Sequence, residues 1–155
     1  MPDLSKQIQK IAHDEVAGNI GDCWRTAIAC LLEIEQDKVP HFAELYPDEE
    51  TLDWWYASVK FIESKLPGMT LVCTQVLWPW DVAPDDAPEK VIVSGKSPRG
   101  DFYHSVIYNA KTGELNWDPH PSGAGILDQI EVFGITRKFL GVNRGYAEIG
   151  EKTYG

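Results

Sequence analysis

The spacing of apolar residues changes once along this chain, at Pro67-Gly68, and that change constrains the fold more than any other feature. Before it, apolar residues recur at helical intervals. After it come short runs rich in Val, Ile, Leu and Thr, separated by Gly- and Pro-containing turns, the pattern of strands. Helices first and strands afterwards describe an α+β domain. The 155 residues have no internal repeat, low-complexity tract or linker, so a single domain over 1–155 is expected.

Residues 1–13 read as a short helix, with Leu4, Ile8 and Ile11 at helical spacing. The stretch 16–21, with two glycines and an Asn, reads as a loop. Asp22 then occupies an N-cap position. Trp24, Ala27, Ile28, Leu31 and Leu32 follow as the buried stripe of a helix ending near residues 33–35. Residues 39–42 read as a loop, and a second helix runs from about Pro47-Asp48 to Leu66. Strands are expected at 70–77, 91–93, 102–109, 114–118 and 131–139, with 78–88 as a surface loop. Gly113 marks a hairpin turn between the third and fourth strands.

Bulk properties exclude several classes. A net charge of −10 disfavours phosphate backbones, so no nucleic-acid partner is expected. No apolar run approaches the roughly 18 residues of a membrane span. The segment Met1–Lys6 lacks the apolar run of a secretory signal, which points to a cytoplasmic protein. Three cysteines, an odd number, do not suggest a disulfide framework. Cys23 and Cys30, seven residues apart on one helix, would be roughly 10 Å apart along its axis and cannot bridge.

Cys23 is the residue with the most chemical promise. It follows Gly21-Asp22 and opens the apolar helix, which puts its sulfur near unpaired backbone N–H groups at the positive end of the helix dipole. Thiols in such positions ionise more readily, and the same N–H groups stabilise an oxyanion. Gly21 lets a substrate backbone approach. The bland reading is a small buried cysteine at a helix start, and Cys30 and Cys73 are read as core.

A nucleophilic cysteine needs a base, and His13, His41, His104 and His120 compete for the role. His104 stands near the start of a strand, a rigid mount at a sheet end. The strand returning after the 110–113 turn ends at Trp117-Asp118-Pro119. Counting from the turn brings Asp118 within one residue of facing His104, where a carboxylate would orient the ring. Pro119 stops the strand there. Each residue alone has an ordinary structural explanation, and the joint arrangement is what carries weight.

The segment Gly21-Asp22-Cys23-Trp24 resembles the Gly-x-Cys-Trp stretch around the papain nucleophile. His104, its strand, the turn and Trp117-Asp118-Pro119 are similar to the pattern of C39-type bacteriocin-processing cysteine peptidases. Small papain-like proteins of phages and bacteria carry an element like Val39-Pro40-His41-Phe42 after the cysteine helix. The resemblance implies a papain-like fold, with the nucleophile helix packed on an antiparallel sheet, and a Cys23-His104-Asp118 triad. It also implies a peptide or protein substrate and no cofactor. These families place a Gln a few residues before the cysteine to complete the oxyanion hole. Here none stands between Gln9 and Cys23, and Asn19 is the nearest amide upstream.

Acyl transfer at an amide covers peptide or isopeptide hydrolysis, deamidation and transglutamination, and spacing does not separate them. Trp24, Trp78, Trp80 and Trp117 are candidates to line the cleft, with Gly21 beside them. Two other classes compete. One is a degenerate papain-like scaffold that binds protein through its acidic surface and the 78–88 loop. The other is a metal site from Cys23, His104, Asp118 and His120, which lacks zinc-type spacing.

Overall fold

The computed structural model describes residues 2–75 and 88–138. Three α-helices precede and flank one five-stranded sheet: α1 (Cys23–Leu32), α2 (Phe42–Leu45), α3 (Asp53–Lys65), β1 (Met69–Thr74), β2 (Lys90–Lys96), β3 (Tyr103–Asn109), β4 (Leu115–Trp117) and β5 (Gln129–Arg137). The strand order is β1-β5-β2-β3-β4 and every pairing is antiparallel. The architecture is α+β. Among the described residues, no helix is long and apolar enough to cross a membrane.

The core follows from the two periodicities. Trp24, Ala27 and Ile28 on α1, with Trp55 and Ile62 on α3, meet Leu71, Cys73, Ile92, Ile107 and Phe133 from one face of the sheet. Complete burial of an Ile or Phe side chain stabilises the fold by about 1.5–3 kcal/mol. Val91, Val93, Val106 and Val132 alternate with these to the opposite face and form a smaller cluster with Ala110, partly covered by Ile126. Helix α1 therefore lies across β3 and β2, with Cys23 at its leading end.

Several expectations need correction. Residues 2–13 form no helix but an irregular strap. Three hydrogen bonds tie it to the rest of the fold: Gln9 N–H donates to Pro119 O (2.9 Å), Ile11 N–H to Asp22 Oδ1 (2.9 Å), and Gln36 N–H to Gln7 Oε1 (3.1 Å). Asp22 precedes α1 as expected, yet its carboxylate makes no cap bond. It holds Ile11 and also accepts from Arg25 Nε at 3.2 Å. The 39–42 loop gives way to the one-turn helix α2, and α3 begins only at Asp53, after a 3₁₀ turn at Glu49–Thr51. The first expected strand ends at Thr74, and the last spans 129–137 rather than 131–139. The 78–88 loop, with Trp78 and Trp80, falls outside the described residues except at its final residue, Pro88.

One glycine shapes the site. Gly95 lies opposite His104 in the β2–β3 register, where the β2–β5 ladder shifts. A Cβ there would come within 1.7 Å of Asp128 O, so only Gly lets the chain before β5 cross over β2. That crossing chain includes Gly125, which reaches Asp118.

Candidate active site

Cys23 is the first residue of α1 and is half-buried on the wall of a cavity of about 720 Å³. Because Asp22 uses its carboxylate elsewhere, no side chain caps the first amides of the helix. Asp22 instead ties the strap to the start of the helix, through Ile11 on one oxygen and Arg25 on the other.

The β3–β4 hairpin supplies the partner groups. His104, the second residue of β3, is 2% exposed. Its Nε2 meets Asp118 Oδ1 at 2.6 Å, and Cys23 lies close enough to act on the ring electrostatically. Burial by itself would depress the ring's pKa. The hydrogen bond to Asp118 and the interaction with Cys23 outweigh it and raise the pKa to about 9.

Asp118 lies just beyond β4 and is 5% exposed. Burial opposes its ionisation, but three donors hold the carboxyl below the usual carboxylate range. These are His104, the N–H of His120 on Oδ1 (2.8 Å) and the N–H of Gly125 on Oδ2 (2.8 Å). A carboxylate fixed on both oxygens cannot swing away, so the ring it holds is fixed as well.

The other residues singled out in the sequence divide. Gly21 lines the cavity, but its missing Cβ serves packing, since one there would come within 2.9 Å of the backbone N of His13. Trp24 lines the cavity as part of its wall. At 8% exposure it is held by Ser58 through Nε1 (3.0 Å), with its ring edge-on to Trp54 and Phe133.

Trp117 does not reach the cleft. Its Nε1 donates to Gln7 O at 2.8 Å, and its ring lines a separate hollow on the other side of Asp118. Asn19 also stays out. It is exposed and pairs through its backbone with Asp14, closing a small loop that carries it away from Cys23. His41 is buried and bonded to Ile20 O (2.9 Å), a structural histidine.

The amide that lines the cavity is Gln9, fourteen residues before the cysteine in sequence. Its Nε2 donates one hydrogen to Ile11 O (2.8 Å), and Oε1 is buried with no partner. The Asp14–Asn19 bridge loops out the intervening chain, so the strap returns beside Cys23. No spacing rule would have found it.

His120, one of the four histidines competing for the base, stands edge-on to the His104 ring with centroids 6.2 Å apart. Ser122 N–H donates to His120 Nδ1 at 3.0 Å, so the neutral ring carries its proton on Nε2. Partial burial, then the positive charges of Arg99 and His104, hold its pKa below the usual histidine value. Glu131 on β5 also lines the cavity and was read in the sequence only as part of a strand.

Among the described residues, no group of three or more His, Cys, Asp or Glu side chains is placed to hold a metal ion. Comparison of the chain with protein-family models, with curated proteins and with solved structures finds no match.

Proposed function

We propose that the protein is a papain-like cysteine hydrolase that cleaves an amide bond, peptide or isopeptide, in a peptide or protein substrate. The observation that supports this reading is the His104 ring, hydrogen-bonded to Asp118 (2.6 Å) and lining one open cavity with Cys23. The resemblance of Gly21-Asp22-Cys23-Trp24 to the papain nucleophile segment, and the chain order Cys, His, Asp, support it.

In this reading the Cys23 thiolate attacks the substrate carbonyl while His104 holds the proton as imidazolium, stabilised by Asp118. The carbonyl oxygen gains the charge and is met by the uncapped first amides of α1 and by the second N–H of Gln9 Nε2. His104 Nδ1 gives its proton to the departing amine as the C–N bond breaks, leaving a thioester on Cys23. Water then attacks, with His104 taking its proton, and the acid leaves as the thiolate returns. The free cysteines among the described residues fit work in a reducing compartment such as the cytosol.

The test is acylation. With 4-nitrophenyl acetate, the protein should release a burst of nitrophenol matched by an acetyl group on Cys23 in peptide mass mapping. No acetyl on Cys23, or an equal burst from Cys23→Ala, would overturn the reading.

A further inference from the structure

Resting on that acyl-transfer reading, we propose that the part of the substrate that departs as the amine carries a carboxylate, received by Arg99 and His120. Among the described residues lining the cavity, Arg99 is the one Lys or Arg, and His120 lines it too. A single hydroxyl joins the two. Ser122 Oγ accepts from Arg99 Nη1 at 3.3 Å and lies 2.9 Å from His120 Nδ1. The Ser122 N–H donates to the same Nδ1 at 3.0 Å, so the neutral ring keeps its hydrogen on Nε2, free to be donated. The guanidinium has five N–H groups, and a bond to a hydroxyl leaves its charge in place. Among the described residues Arg99 forms no ion pair. Its backbone N–H donates to Ser97 Oγ at 3.1 Å, which holds the turn that carries it.

The reaction says which part of the substrate meets this corner. His104 must come within hydrogen-bond reach of the departing nitrogen to protonate it, so the leaving portion begins on the His104 side of Cys23. His120 stands there, edge-on to His104 with centroids 6.2 Å apart, and Arg99 follows one hydroxyl beyond. A carboxylate in that place accepts from the guanidinium and from Nε2–H together, and charge-assisted bonds are roughly twice as strong as neutral ones. The rest of the cleft is hostile to anions. Glu15, Glu50 and Asp101 line it, and the net charge is −10. The long-range field therefore slows a negatively charged substrate, and a preference for one arises only by contact at this corner. The carboxylate has two sources, the free C-terminus of the leaving residue or its acidic side chain.

The test uses the full chain and four acetyl thioesters. The acetyl carbon bonds to Cys23 Sγ, the thioester C–S bond breaks, and the departing thiolate takes its proton from His104 where the amine would. S-acetylmercaptoacetate and its methyl ester set the carboxyl as close to the leaving atom as in a C-terminal residue. S-acetyl-4-mercaptobutanoate and its methyl ester set it as far away as in a glutamate side chain. Acetylation of Cys23 is followed by mass mapping, and each rate is divided by that reagent's rate with 2-mercaptoethanol to remove intrinsic reactivity. In one pair the acid should react about tenfold faster than its methyl ester. The short pair assigns a C-terminal carboxylate, and the long pair an acidic side chain. Arg99→Gln should bring that ratio to about one or below, while Lys111→Gln, on the exposed hairpin turn, should leave it unchanged. His120→Ala should lower it about threefold, and His120→Gln, whose amide offers an N–H in place of Nε2–H, should restore most of it.

A wild-type ratio of one or less in both pairs overturns the proposal whether or not the variants fold. So does a ratio that survives in a folded Arg99→Gln protein. A ratio unchanged in His120→Ala overturns the place given to His120. Acetylation of Cys23 by the methyl esters no faster than that of Cys30 or Cys73 overturns the acyl-transfer reading and this proposal with it. Fast acetylation by the methyl esters with no gain from either acid overturns this proposal alone.

Discussion

Cys23 and Cys73 place the same atom in two opposite surroundings. Cys23 is half-exposed at the start of a helix, beside an imidazole held in its charged form by a buried carboxylate. Cys73 is buried in β1. Desolvation, followed by the charge and hydrogen bond of Glu131, pushes its thiol far above the ordinary range. One sulfur lies beside a histidine ring, and the other lies beside a carboxylate. The comparison teaches that neighbours, not residue type, set a cysteine's chemistry.

The largest expected effect comes from removing the imidazole. His104→Ala should lower acylation of Cys23 by about 10³-fold or more, because it removes both the ion-pair partner and the proton carrier. A loss under tenfold in a folded variant would leave Cys23 no more activated than Cys73 and break the contrast.

Asp118→Asn should lower turnover by about 10²-fold and stability by about 2 kcal/mol, since an amide cannot accept from His104, His120 and Gly125 as the carboxylate does. The pH dependence sharpens the point. His104 has a pKa raised from 6.5 to about 9 by folding, so its contribution is fully present below pH 6.5 and lost as pH rises through 9. That contribution is on the order of 3 kcal/mol. Asp118 is shifted down, so its contribution is present above its ordinary value of 3.8 and lost as pH falls below it. Urea midpoints should therefore fall between pH 7 and pH 9.5, and Asp118→Asn should flatten that decline. A decline of equal size in the variant would mean that the pair is not its source.

Gln9→Ala should lower turnover by about 10- to 100-fold, whereas Asn19→Ala should change it by less than about twofold. Equal effects would return the oxyanion hole to Asn19. The smallest effect is expected at the other sulfur. Cys73→Ala should cost about 1 kcal/mol of stability and leave turnover within about twofold.

How much of this was legible in the sequence depended on the range of the contact. The His104–Asp118 pair was legible because a hairpin relates its residues through a short, countable turn, even though the β3–β4 register shifts between Ile107 and Tyr108. The start of α1 was legible as well, because a helix written in apolar periodicity has a local beginning. The use of Asp22 was not, since its partner Ile11 lies in a strap whose path is set by tertiary hydrogen bonds. Leu4, Ile8 and Ile11 had helical spacing and still formed no helix for the same reason. Gln9 was invisible because the Asp14–Asn19 loop removes its sequence distance in space. Trp117 was a candidate to line the cleft, but it is adjacent to Asp118, and neighbouring residues at a strand end point apart.

The most direct test of the central claim is competitive alkylation of the native protein by iodoacetamide at pH 6, with each cysteine mapped by mass spectrometry. At that pH His104 is protonated beside Cys23, so Cys23 should be labelled at least about 100-fold faster than Cys30 and Cys73, and His104→Ala should erase most of that advantage. Equal labelling of the three cysteines, or an advantage for Cys23 that survives without His104, would contradict the account.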